Sequence, residues 1–184
     1  MIQSIVLSGP SSYAKSVKIT DRFIGDHKTF RKMLFELGQR FGDDPRDSDM
    51  PRLLRLMELF RDHLLVHEWA EENFLYPAVR AVLPKAPQPL CLRYMDQLDH
   101  EHNVLKAAID RLEMKVRRHP SHPGWPAAYV PFFQGMQTHM RKEEEQLFPL
   151  AERMLGVEEL ETLSRILEDN HYKVPPVRLH TQVS

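Results

Sequence analysis

One stretch of this chain occurs twice and decides its fold. The two copies are HEWAEENFLYP at residues 67–77 and HMRKEEEQLFP at residues 139–149. Both read histidine, three residues, Glu-Glu, two residues, leucine, an aromatic residue and proline, and they begin 72 positions apart. Repetition of a pattern at a fixed offset indicates a structural unit that the chain uses twice.

The spacing within each copy places an imidazole and a carboxylate on one helical face. His67 and Glu71 are four residues apart, as are His139 and Glu143, and this separation is only about 40° around an α-helix. Such pairs also occur on exposed helical faces, where they bind nothing. Because the pattern recurs, we favour the metal-binding interpretation, in which each copy supplies half of a site.

Two further histidines, His27 and His102, lie in matched apolar surroundings. Each has apolar residues at −4, +3, +7 and +10: Phe23, Phe30, Leu34 and Leu37 around His27, and Leu98, Leu105, Ile109 and Leu112 around His102. Either histidine alone is also explained as a core residue that hydrogen-bonds a neighbouring carbonyl group. Their equivalent positions favour a common centre with the two His/Glu helices. His100, about 200° from His102 around the helix, is expected to face outward.

This arrangement resembles the hemerythrin-like family, also called HHE cation-binding domains. The shared features are a lone histidine on helices one and three, and His-x-x-x-Glu with a Leu-aromatic-Pro ending on helices two and four. The resemblance implies an all-α, up-down-up-down four-helix bundle over residues 17–156, with a non-haem di-iron centre in its core. The ligands it implies are His27, His67, Glu71, His102, His139 and Glu143, with Glu71 and Glu143 bridging the two iron ions.

The pattern differs from that of the oxygen-carrying hemerythrins in two places. Those proteins resemble one another in a His-x-x-x-His pair on the third helix and an aspartate after a four-residue gap on the fourth. Here Lys106 follows His102 by one turn, and Glu143 stands four residues after His139. A site of four histidines and two glutamates argues against simple reversible oxygen carriage.

His63 lies one turn before His67, and its counterpart in the second repeat is Gly135. Two interpretations stay open for it. It is either a fifth histidine ligand or a residue at the rim of the centre, where ligating imidazoles commonly find polar partners.

The remaining glutamates of the two motifs are predicted to lie away from the metal face. Glu72 and Glu144 are five residues after their histidines, about 140° around the helix, so they should lie behind the ligands or in solvent. Glu68 and Glu145 are predicted to form surface ion pairs of small energetic value.

Composition excludes several classes of protein. The 184 residues include 25 basic and 26 acidic side chains, which give a net charge of −1. The sequence therefore lacks the excess of basic residues that is typical of a nucleic-acid-binding protein. A single cysteine, Cys91, excludes an intramolecular disulfide and fits a reducing compartment. The sequence shows neither a secretory leader nor an apolar run of about 20 residues. We therefore expect a cytoplasmic protein without membrane or nucleic-acid partners, and a homodimer is compatible with the sequence.

Prolines mark the connections between the predicted helices. Pro77 and Pro149 are expected to bend or stop their helices just past the metal ligands, and His119 and His122 are expected to meet solvent in the third loop. The predicted segments are an N-terminal arm over 1–16, bundle helices over 17–41, 51–83, 90–118 and 127–155 within a domain spanning 17–156, a C-terminal helix over 157–171 and an irregular tail over 172–184.

The donor set narrows the chemistry without selecting one function. Imidazole and carboxylate ligands suit iron, and zinc or manganese as alternatives. Six protein ligands for two metals leave coordination positions for dioxygen, peroxide or nitric oxide. Three function classes stay open: a sensor, scavenger or oxidase that binds or reacts with such a small molecule; an iron storage or sensing protein without turnover; and a regulatory interaction module that the metal only stabilises.

Overall fold

All regular structure in the described part of the chain is helical. The computed structural model describes residues 17–41, 50–83, 90–118 and 125–170. In chain order its elements are α1 (Ile19–Phe41), α2 (Met50–Ala70), the π-helical turn π1 (Glu71–Leu75), α3 (Tyr76–Val82), α4 (Leu90–Arg118), α5 (Trp125–Lys142), the second π-helical turn π2 (Glu143–Leu147), α6 (Phe148–Leu155) and α7 (Val157–Asp169).

These elements form four antiparallel bundle helices: α1, α2–π1–α3, α4, and α5–π2–α6. Ion pairs fix the directions, since the start of α2 meets the end of α1 through Arg52 and Glu36. Likewise, Arg80 near the end of α3 meets Asp99 in the first half of α4. Packing of α1 on α2 and α5, and of α4 on the same two helices, closes the ring. The predicted all-α bundle with an additional C-terminal helix is therefore confirmed.

Two apolar clusters fill the bundle, one on each side of a polar layer. Phe30, Phe60 and Leu105 belong to the cluster near the starts of α2 and α5. Phe23 and Leu98 belong to the cluster near α3, α6 and α7. Each cluster buries apolar side chains against several helices, which provides the main stabilisation of the fold. The layer between them contains the histidines and glutamates of the repeated motifs.

A wide turn interrupts the second and the fourth bundle helix at the motif glutamates. The backbone N–H of Tyr76 donates to the carbonyl of Glu71, and that of Phe148 donates to Glu143. Both are i→i−5 hydrogen bonds, which define a π-bulge. The extra residue in the turn offsets about 100° of helical rotation, so side chains beyond it point in directions that a uniform helix does not predict.

Most predicted helix bounds agree with the structure to within two residues. Of the two outcomes expected at Pro77 and Pro149, a bend or a stop, the structure rules out the stop, because these prolines occupy the first turns of α3 and α6 just after the π-turns. There the shifted hydrogen bonding reduces the cost of a missing N–H. Helix α5 also begins earlier than predicted, at Trp125, with Pro126 in its first turn. The predicted arm (1–16), the tail (172–184), His119 and His122 lie outside the described residues.

The C-terminal helix α7 packs on α1 and α6. Gly156 makes the turn between α6 and α7 with a φ of 78°, a conformation that residues with a side chain rarely adopt. Arg22 of α1 donates hydrogen bonds to Ser164 and Glu168 of α7. Across the described ranges, no helix has the length and apolar character that crossing a membrane requires.

Candidate metal centre

The structure brings all six predicted ligands together in the polar layer of the bundle. Each of the four bundle helices supplies one histidine, and the second and fourth also supply a glutamate. All six side chains are buried: His27, His67, Glu71, His102, His139 and Glu143. Titratable groups are rarely buried together in this number without a common partner.

The six residues form two overlapping groups that share both glutamates. One group contains His27 and His67, the other contains His102 and His139, and Glu71 and Glu143 belong to both. Within each group, one candidate ligand atom per residue lies within 4.8 Å of all the others. This geometry fits two adjacent metal positions with two common carboxylates.

The glutamate oxygens divide between the two groups. One oxygen of Glu71 lies 3.5 Å from the Nε2 of His67, and the other lies 3.5 Å from the Nε2 of His102. Glu143 repeats this pattern, with Oε2 at 3.2 Å from His27 Nε2 and Oε1 at 3.2 Å from His139 Nε2. Each carboxylate thus has one oxygen directed at each group.

Several atoms at the middle of this cluster have no hydrogen-bond partner among the described residues. They are both carboxylate oxygens of Glu71, Oε2 of Glu143 and Nε2 of His139. The Nε2 atoms of His27 and His67 also face each other at 3.2 Å. Burying polar atoms without a partner is costly, and bound cations are a common way to satisfy them. The residues therefore fit a metal site.

A second layer of carboxylates lies behind the histidines. In every case the Nδ1 of the imidazole lies within hydrogen-bond distance of one carboxylate oxygen, and an Nδ1–H that donates there leaves the Nε2 lone pair directed at the centre. The pairs are His27 with Glu144 at 2.9 Å, His67 with Asp26 at 3.1 Å, His102 with Glu72 at 2.9 Å and His139 with Glu101 at 3.2 Å.

This second layer follows the internal repeat. Asp26 and Glu101 each precede the histidine of helix one or three, while Glu72 and Glu144 each follow a motif glutamate. The prediction that Glu72 and Glu144 lie behind the ligands agrees with the structure. Asp26 and Glu101 were not predicted, although an acidic residue directly before each framed histidine was a detectable signal.

Cationic side chains fix three of these outer carboxylates at the rim. Arg31 donates to both oxygens of Glu144, at 2.8 and 2.9 Å. Lys106 donates to Glu72 at 3.3 Å, and Lys142 donates to Glu101. Such charge-assisted contacts restrict the carboxylates and, through them, the imidazole rings. Lys106, which stands where the oxygen carriers place a histidine, thus supports a ligand indirectly.

The charges of the cluster shift its proton affinities strongly. Burial by itself lowers the pKa of His27, but the nearby carboxylates of Glu143 and Glu144 outweigh it and raise the pKa to about 9. In the same way the pKa of His139 rises to about 9 and that of His102 to about 12. Burial raises the pKa of Glu143, but the histidines dominate and hold it well below its ordinary value. Without a metal, protons take over the neutralisation of the carboxylates.

Tyr76 is a further polar residue at the centre, and it was not predicted from the sequence. Its hydroxyl donates to Oε1 of Glu143 at 3.1 Å and lies 3.4 Å from the Nε2 of His102. The equivalent residue of the second repeat is Phe148, whose ring stacks on His27 with centroids 5.6 Å apart. The signal was the tyrosine at a motif position where the other copy has phenylalanine. The two groups of ligands are therefore chemically unequal.

Glu68 corrects the prediction of a surface ion pair. Its side chain is fully buried and lies 3.1 Å from the ammonium group of Lys106. The reason is that α2 packs on both α1 and α4, so a residue about 100° from His67 still faces a neighbouring helix. Glu145 is exposed as expected. His63 is also fully buried, and it belongs to neither group of candidate ligands.

Comparison with known proteins agrees with this geometry. Residues 18–151 match the family model of the hemerythrin HHE cation-binding domain. The chain belongs to the hemerythrin HHE cation-binding domain family. No curated protein and no solved structure matches the sequence significantly. For this HHE domain, the family and the buried His/Glu cluster both indicate metal binding.

The outer carboxylates of the HHE domain provide one prediction. Glu72→Ala and Glu144→Ala should retain the metals but weaken metal affinity about 10- to 100-fold, because each removes the partner of a histidine Nδ1. Competition with a chelator of known affinity measures the change. Glu145→Ala, the exposed neighbour of Glu144, is the control and should behave as wild type. Complete loss of metal in Glu72→Ala would place that residue among the ligands.

The two neighbouring histidines of α4 provide another prediction. His102 is fully buried, whereas His100 is exposed on the same helix. We expect His102→Ala to leave about one metal per chain or a labile pair, since it removes one of the donors of one position. His100→Ala should leave occupancy and absorption spectrum unchanged. Metal analysis after desalting tests both variants, and a damaging His100→Ala with a silent His102→Ala would contradict the assignment.

Proposed function

We propose that this protein binds two non-haem iron ions through His27, His67, Glu71, His102, His139 and Glu143, with Glu71 and Glu143 shared between the two positions. The observation that supports the proposal best is the overlap of the two ligand groups at these glutamates. Each carboxylate directs one oxygen toward each group. Imidazole and carboxylate donors together suit iron, with manganese or zinc as alternatives.

We further propose that the centre binds or reacts with a small molecule such as dioxygen, peroxide or nitric oxide, as a cytoplasmic sensor, scavenger or oxidase. Two iron ions would supply redox and Lewis-acid chemistry at coordination positions that the six protein ligands leave open. A metal centre that only stabilised the bundle would not need open coordination positions.

The protein residues have separable tasks in this function. The four outer carboxylates orient the histidines through Nδ1 and leave each Nε2 for the centre. The apolar clusters on both sides enclose the polar layer within the bundle. The hydroxyl oxygen of Tyr76 lies 3.1 Å from Glu143 Oε1, to which it donates its proton in a hydrogen bond, beside the position of His102 and His139. Burial and the carboxylate charges of Glu71 and Glu143 raise the pKa of Tyr76 well above its ordinary value, so this proton is retained at neutral pH.

Spectroscopy of the iron-loaded protein tests the proposed reactivity. Protein loaded anaerobically with iron is mixed separately with air, hydrogen peroxide and nitric oxide while its absorption spectrum is recorded. We expect new visible or near-ultraviolet bands with at least one reagent, in proportion to bound iron. Protein that retains its iron but shows no change with any reagent would contradict this function and favour storage without turnover.

A further inference from the structure

The two sequence repeats differ in the side chains that cover the centre. In the first repeat, Phe30 and His63 lie next to His67, one turn along their helices. The equivalent residues of the second repeat, next to His139, are Leu105 and Gly135. Both replacements are smaller, so the second repeat has less side-chain volume over its ligands.

In the first repeat the side chains of Phe30 and His63 cover His67. The Phe30 ring meets the His67 ring edge-on, with centroids 5.2 Å apart. Phe30 is 1 % exposed and His63 is 0 % exposed, so both are packed inside the bundle. A small molecule approaching His67 from this side would have to displace them.

In the second repeat an open cavity of about 330 Å³ lies between α4 and α5. Glu101 and His139 line it together with Val104, Leu105 and Gly135. A water molecule occupies about 30 Å³ in the liquid, so a ligand of a few atoms fits easily. Gly135 maintains this space, because a Cβ at that position would lie 3.3 Å from a Leu105 methyl group.

A second cavity of about 380 Å³ lies next to the first and shares Val104, Leu105 and Gly135 with it. Arg111 and Lys115 line this second cavity. With Lys142 and Glu101 in the first cavity, the combined lining contains three cationic side chains and one carboxylate. A positive excess favours the approach of small anions.

We propose that small anions reach the centre through this cavity beside Gly135 and bind at the position of His102 and His139. This inference rests on the proposed function. His139 is the candidate ligand that lines this cavity, and the only hydroxyl group of a tyrosine that the described residues place at the centre, that of Tyr76, lies at the same metal position. Among the described residues, a cavity-lining ligand and a hydrogen-bond donor therefore coincide at the half formed by His102 and His139, whereas buried Phe30 and His63 lie beside His67 at the other half.

Azide binding to the oxidised, iron-loaded protein tests the route, because stopped-flow absorbance resolves its association and dissociation rates. Gly135→Leu should slow both rates about tenfold, with little change in Kd, since a blocked route alters access and not the site. Raising the salt concentration should slow association to the wild type. Gly25→Leu is the matched control, because Gly25 is also helical and a Cβ at that position would meet nothing within 4 Å. This control should bind azide at the wild-type rate.

A second variant covers the case in which Gly135→Leu does not fold. Val104 is 48 % exposed at the cavity wall, so Val104→Trp should cover the opening without entering the core, and it should also slow both rates. Wild-type azide rates in either folded variant would overturn the route while leaving the iron centre intact. A wild type that holds fewer than two irons, or that does not bind azide, would overturn the route together with the proposed function or its ligand chemistry.

Discussion

His67→Ala and His139→Ala are each expected to abolish stoichiometric iron binding. Each variant removes one of only two histidines from its group. It also leaves an outer carboxylate, Asp26 or Glu101, without its imidazole partner. Because Glu71 and Glu143 belong to both groups, loss of the metal from one position also weakens the binding of these carboxylates at the other position. We therefore expect at most half of the wild-type iron after desalting, in line with the expectation for His102→Ala, with elemental analysis as the measurement.

The folded state of these variants must be checked by circular dichroism, because both histidines are buried. His100→Ala provides the control for the loss of an imidazole at an exposed position. Full iron occupancy in a folded His67→Ala or His139→Ala variant would remove that histidine from the ligand set.

Removal of the metal should lower the thermal midpoint of the protein by about 10 °C or more, since a few kcal/mol correspond to that shift in a chain of this size. The metal-free centre packs two buried carboxylates against four buried histidines, and several of these polar atoms, among them both oxygens of Glu71, have no hydrogen-bond partner among the described residues. A cation that binds only the folded protein adds stability through mass action. Differential scanning calorimetry of metal-free and iron-loaded protein measures the difference, and equal midpoints would mean that the centre does not bind iron.

The thermal stability of the metal-free protein should decrease as the pH rises. The pKa of His27 and of His139 is raised to about 9 in the folded protein, compared with about 6.5 in an unfolded chain. Their protonation therefore stabilises the fold fully below about pH 6.5, and this contribution is lost as the pH rises through about 9. The midpoint of the metal-free protein should fall between pH 6 and pH 9.5.

The iron-loaded protein should respond differently, because protons compete with metal for the same imidazole atoms. Raising the pH strengthens metal binding, so the gap between the two midpoints should widen over this interval. A metal-free protein that becomes more stable from pH 6 to pH 9.5 would contradict the proton-bound description of the cluster.

The fold was predictable because the repeated motif and the prolines carry most of its information. The four-residue spacing of His67 and Glu71 fixes one face of a helix, and the second copy repeats it. The apolar residues around His27 and His102 define the inward faces of the other two bundle helices. These patterns depend only on helical periodicity, which is uniform over most of the bundle.

The π-turns mark the limit of that reasoning. A helical projection with about 100° per residue places Tyr76 about 140° from Glu71, away from the centre. In the structure the wide turn lies between these two residues, and the Tyr76 hydroxyl contacts Glu143. No residue type marks a π-bulge clearly enough to predict it, although such bulges are frequent at functional sites.

Glu68 shows a different limit, which concerns packing between helices. Its position outside the metal face was correct, but a bundle helix has two neighbours, and the side that faces α4 is also buried. Burial depends on what the next helix presents, here the ammonium group of Lys106 at 3.1 Å. A single-helix projection contains no information about that partner.

Mössbauer spectroscopy of protein loaded with isotopically enriched iron tests the central claim most directly, because it counts iron environments and detects magnetic coupling between them. The shared carboxylates of Glu71 and Glu143 predict two irons per chain, all present as spin-coupled pairs in the oxidised protein. The unequal surroundings provided by Tyr76 and Phe148 predict two distinguishable iron environments. One iron per chain, or two irons without coupling, would contradict a centre that is bridged by these two glutamates.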